Sequence, residues 1–114
     1  GQYLADRGLI NQAEATLKKA VDKSPDFPPA YYELAHFLVF DNKYKSARSY
    51  ITKFLEMNPE SAKGWFLSAK CAVQEGNIKR AGKDLEKAIQ LDKALYEKAK
   101  SDPDLKKVTG GNRE

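Results

Sequence analysis

The stretch "AYYELAHFLVF" (residues 30–40) sets only two polar side chains, Glu33 and His36, among nine apolar ones. A helix with one buried stripe needs apolar residues at i, i+3, i+4 and i+7, and this segment has enough for nearly its whole circumference. The same spacing recurs over 44–57, 62–75 and 78–91, which predicts helices there. Asn11 followed by Glu14 predicts a capping box opening a helix over 12–23. Pro28 and Pro29 suit a first helical turn, where a missing N–H costs little, and Ser61 suits the N-cap of the helix carrying Trp65. No segment alternates with period two over a useful length, so the fold class is all-α.

Shifting the chain by 34 positions superimposes it on itself. Ala13, Ala47 and Ala81 align, as do Leu17, Ile51 and Leu85, and Lys19, Lys53 and Lys87. Tyr31 falls on Trp65 and Pro25 on Pro59. Gly8, Asn42 and Gly76 also align, and these residue types tolerate the left-handed conformation that a helix-to-helix turn requires. The period and its signature resemble the tetratricopeptide repeat (TPR) family. Residues 28–61 carry it as Tyr31, Leu34, Ala35, Leu38, Ala47, Ile51 and Pro59. Residues 62–95 carry Trp65, Ser68, Ala69, Ala72, Ala81 and Leu85, with Lys93 where Pro is expected. Residues 1–27 hold the later part of one repeat, mostly its second helix. The resemblance implies a right-handed superhelical array of antiparallel helix pairs. The departures at Ser68, Ala72 and Lys93 predict a looser last repeat. Residues 96–108 read as a C-terminal capping helical segment covering the last exposed core face, and 109–114 as a flexible tail.

Composition narrows the function classes. The chain has 114 residues, 41% hydrophobic and 32% charged, which predicts one small ordered domain. No run of about 18 apolar residues occurs, so no direct membrane insertion is expected. Cys71 is the only cysteine, which fits a reducing, cytoplasmic setting. The start on Gly1 rather than Met suggests a fragment, from which a targeting segment could be missing. The net charge of +4 is concentrated in residues 62–91, with six basic against three acidic groups.

One His and one Cys without partner spacing leave no nucleophile, base and orienter, so no enzyme activity is expected. No cofactor or metal site is expected either. Lys79, Arg80, Lys83 and Lys87 form a basic stripe that could track nucleic-acid phosphates. Asp84 and Glu86 interleave, and a solvated helix face is the stronger reading, so nucleic acid is the alternative partner. The TPR resemblance implies instead a groove lined by first helices. Its positions fall on Gln2, Ala5 and Asp6, then Tyr32, His36, Val39 and Phe40, then Lys63, Phe66, Lys70, Val73 and Gln74. Tyr32 pairs with Phe66, His36 with Lys70 and Val39 with Val73, each 34 apart.

Aromatic anchors in such a groove suit a protein or peptide partner with apolar anchors and acidic groups near Lys63 and Lys70. The carboxylate clamp of some TPR domains needs Lys and Asn at positions that here hold Tyr32, His36, Phe66 and Lys70, so a standard clamp is not expected. The competing reading is that another part of the chain covers this face. The truncated first repeat also invites end-to-end self-association. "AYYELA" and "YKSARSYITKF" are in addition similar to repeats of the TPR pilotin lipoproteins of type IV pilus systems, which would imply a periplasmic secretin-assembly factor.

Overall fold

The computed structural model describes residues 2–106 and 108, with side chains from Arg7 onward. The described residues form six α-helices and no strand: α1 (Gln2–Lys23), α2 (Pro28–Phe40), α3 (Tyr44–Met57), α4 (Ala62–Gln74), α5 (Ile78–Leu91) and α6 (Leu95–Ser101). Helices α2 and α3 pair, as do α4 and α5, while α1 lies against α2. The two hairpin turns are the same object repeated. The amides of Asp41, Asn42 and Lys43 donate to the carbonyls of Phe37, Val39 and Leu38. Those of Glu75, Gly76 and Asn77 donate to Cys71, Val73 and Ala72. Asn42 at φ 62° and Gly76 at φ 82° supply the left-handed step each turn needs.

Gly8 does not make a third such turn. Helix α1 runs unbroken for 22 residues through Gly8 and Asn11, so the capping box and the break before residue 12 are absent. The Asn11 side chain is engaged elsewhere. Its Oδ1 accepts from Arg7 Nε and Nη2 at 3.2 and 3.0 Å, an i, i+4 contact that needs the helix to continue. The other caps match the sequence pattern. Ser61 Oγ accepts from the Gly64 amide at 3.2 Å, and the two prolines occupy the first turn of α2. Asn77 adds a cap at Arg80 N that the pattern did not reveal.

Two apolar clusters fill the array, and α4 is the wedge between them. Leu67 and Cys71 join Tyr31, Leu34, Leu38, Ile51 and Phe54 in the first. Phe66, Ala69, Ala72 and Val73 join Leu85, Ala99, Leu105 and Val108 in the second. Ala35 and Ala69, and Ala47 and Ala81, are fully buried at equivalent positions, where a methyl lets neighbouring backbones approach. The aromatic signature residues act as ties: Tyr31 Oη donates to Pro25 O at 2.8 Å, and Trp65 Nε1 to Pro59 O at 2.7 Å. Gly64 sits where an added Cβ would lie 2.7 Å from Phe54 and 2.9 Å from Leu55. Gly64→Val should therefore cost about 2 kcal/mol by overpacking, measured as a lowered denaturant midpoint.

The last repeat is not looser. Ser68 is completely buried and wired on both sides: Arg48 Nη1 donates to its Oγ at 2.6 Å, and the hydroxyl donates to Asp84 Oδ2 at 2.6 Å. Arg48 also donates to Ser68 O and Glu75 Oε1, so α3, α4, α5 and the second turn share one network. At the position of the missing Pro, Asp92 Oδ1 accepts from the Ala94 amide and turns the chain instead. Cys71 is buried with Sγ 3.4 Å from Tyr44 O, and burial pushes its thiol up to about 11. The folded protein should accordingly resist thiol-specific reagents at pH 8 until denaturant is added.

A second polar junction fixes α1. Arg7 makes a two-pronged contact with Asp41 at 2.8 and 2.6 Å, and Lys43 reaches Glu14 at 2.6 Å. The Arg7 guanidinium holds Asp41 below the usual carboxylate range, and Lys43 and then Lys18 do the same for Glu14. Depressed carboxylates contribute stability that is present above their unfolded pKa values, about 4, and lost as pH falls through the folded ones. The variant Glu14→Gln/Asp41→Asn should lose less stability than the parent between pH 5 and pH 2. Equal acid sensitivity in urea titrations would show that this junction contributes nothing.

Candidate functional site

The predicted groove positions with described side chains lie on α2 and α4. Tyr32 is half-buried. Its ring lies 5.3 Å from Phe54, tilted, and 6.0 Å from His36, stacked at 29°. Lys63 Nζ stands 4.5 Å over the same ring, a cation–π contact from the next first helix. Burial raises the Tyr32 phenol above its ordinary value. His36 and Lys63 are exposed, Phe40 is 74% exposed, and Val39 is half-buried beside them. Gln74 is exposed at the far end of α4.

The other three predicted residues are not open. Phe66 and Val73 are buried, and Ala99, Leu105 and Val108 of the C-terminal segment belong to the same apolar cluster, with Leu95 packed against it. Lys70 is engaged by Asp102 at 3.3 Å. Among the described residues, the C-terminal segment packs over α4. The cover repeats the geometry one step along: Lys98 Nζ stands 5.6 Å from the Phe66 ring centre, as Lys63 does over Tyr32. The Gln2, Ala5 and Asp6 side chains and the tail 109–114 lie outside the described residues.

Beside Tyr32 opens a cavity of about 520 Å³, lined by Pro29, Phe54, the 58–61 loop and Lys63. Sequence reasoning missed Phe54 because it belongs to a second helix, which the repeat pattern assigns to the outer layer. Pro29 was read only as a helix starter. One wall is apolar, through Pro29 and Phe54, and the rim carries the Lys63 ammonium. Among the described residues, no group of three or more His, Cys, Asp or Glu side chains is placed to hold a metal ion. No helix among them is long and apolar enough to cross a membrane.

Tetratricopeptide repeat families match residues 4–71 and 62–95. The chain belongs to the tetratricopeptide repeat family, whose members typically serve as protein-interaction modules. No curated protein matches it. Among solved structures it is similar to "MamA RS-1 ArsTM double mutant", with a TM-score of 0.69 at 21% identity, covering 78% of this chain and 50% of that one. The likeness is one of fold, and the chain spans half the length of that structure.

Proposed function

We propose that this repeat array is a scaffold that captures a segment of a partner protein on the α2 face, between Phe40 and the Lys63 cavity. The supporting observation is the juxtaposition of the Tyr32 ring, backed by Phe54 and His36, with the exposed Lys63 ammonium and an adjoining cavity. The ligand segment supplies an apolar side chain to the Pro29–Phe54 wall, an acidic group to Lys63, and a second apolar contact to Phe40. Large rigid rings give contact area at low entropy cost, and a lysine already held over a ring loses less freedom on pairing. The Lys70 ammonium takes no part, because Asp102 already engages it.

The test begins with peptides selected from a random displayed library and titrated by fluorescence anisotropy. Phe40→Ala and Lys63→Ala should each weaken binding about tenfold, the scale of a single interface anchor. Unchanged affinity in both variants would remove the α2 face as the site. Phe66→Ala is not a binding test, since that ring is part of the core and its loss acts on stability.

A further inference from the structure

The outer side of the second helices carries an ordered cationic surface that the groove does not use. Lys19, Lys53 and Lys87 stand 34 residues apart on α1, α3 and α5, and all three are exposed. Lys45 and Lys79 repeat the same register two turns earlier on α3 and α5. Lys83 stands between Lys79 and Lys87, so α5 presents cations at i, i+4 and i+8, about 6 Å apart along the axis. None of these six is paired with a carboxylate among the described residues. In sequence Asp84 interrupts the stripe, but it is buried and receives the Ser68 hydroxyl, so its charge is turned inward. Asp22, Glu56 and Glu86 are exposed acidic residues on the same three helices.

We infer that this outer face docks the protein onto an anionic lipid bilayer. The cations are spread over three helices at repeat spacing instead of lining a groove, which matches a laterally continuous layer of negative charge. The spaces between them hold short neutral side chains, Ser46, Ser49 and Thr52, which allow close approach to headgroups. Tyr50, the aromatic ring beside Ser49 and Lys53, is half-buried and packs toward Tyr31 at 6.4 Å, and Arg80 leans on Asp84 at 3.5 Å. Sequence-reading nucleic-acid surfaces depend on arginine forks and stacked rings, whereas a lipid surface asks only for unpaired ammonium groups. This attachment leaves the α2 face open and does not rest on the groove reading.

Co-sedimentation with vesicles decides it. The protein should pellet with vesicles containing about 30% phosphatidylserine at low salt, and not with pure phosphatidylcholine, since each lysine gains about fivefold near an anionic leaflet. On the same scale Lys53→Gln/Lys83→Gln/Lys87→Gln should lower partitioning about 100-fold, while Lys63→Gln leaves it unchanged. Absence of pelleting with the anionic vesicles, or equal pelleting by the triple variant, would overturn the inference. So would a duplex DNA oligonucleotide that binds more tightly than the vesicles at equal phosphate and salt.

Discussion

Ser68→Leu should lower the unfolding free energy by about 3 kcal/mol, although it installs the residue found 34 positions earlier at Leu34. Repeat logic alone predicts the opposite, because a leucine there would complete the family pattern. The structure reverses the sign. Ser68 is completely buried, and its hydroxyl joins Arg48 to the buried Asp84 carboxylate. A leucine would remove both hydrogen bonds and leave a guanidinium and a carboxylate facing each other without their mediator in a space that also has to admit extra volume. Replacing all three together, as Arg48→Met/Ser68→Leu/Asp84→Leu, should recover most of the loss, since well-packed apolar groups substitute for a buried polar network at little net cost. Chemical denaturation of both variants measures this. A stable single variant would mean that the network contributes no stability in this array.

Leu105→Asp has the second large effect. Leu105 is completely buried, and with Val108 and Ala99 it seals the α4 face. A carboxylate cannot stay in that apolar setting, so residues 102–108 must leave the surface, forfeiting the packing of Leu105 and Val108 and the Lys70–Asp102 pair. The expected cost is at least about 3 kcal/mol, or a fall in melting temperature on the order of 12 °C. Amide exchange should quicken in α6 and in the α4 turns carrying Phe66 and Val73, while α2 and α3 keep their protection. Uniform loss of protection across all helices would show instead that the array folds as one unit without an independent C-terminal cover.

These two variants mark where the sequence was informative and where it was not. The helix boundaries between residues 28 and 91, the two turns at Asn42 and Gly76, and the Ser61 cap were legible because each depends on local chemistry that repeats at a fixed period. The capping helix read over 96–108 instead runs over Leu95–Ser101 and then breaks at Asp102. Gly8 shared that period without sharing the conformation. A glycine permits a turn but does not compel one, and the Arg7–Asn11–Asp41 contacts favour a continuous helix. Ser68 looked like a defect because its partners lie 20 and 16 residues away on other helices, at distances that periodicity cannot encode.

The candidate site divides along the same line. Of the positions on α2, His36 and Phe40 are exposed, while Tyr32 and Val39 are half-buried against the first core cluster. The equivalent positions on α4 share their helical phase, yet Phe66, Lys70 and Val73 are occupied by residues 95–108, whose capping role was visible but whose footprint was not. The cavity wall from Phe54 arises from tertiary packing between a second helix and Tyr32. Asp84 gave the opposite error: counted as a solvated charge in the stripe, it is an interior one, and its removal makes the outer face more basic than its sequence suggests.

The central claim is that a partner segment binds on α2 beside Lys63. Backbone amide chemical-shift mapping with a library-selected peptide tests it most directly. The account predicts saturable shifts at Tyr32, His36, Phe40 and Lys63 and through residues 58–61, with the outer positions of α3 and α5 unmoved. Shifts confined to those outer positions, with the α2 face silent at saturation, would contradict it.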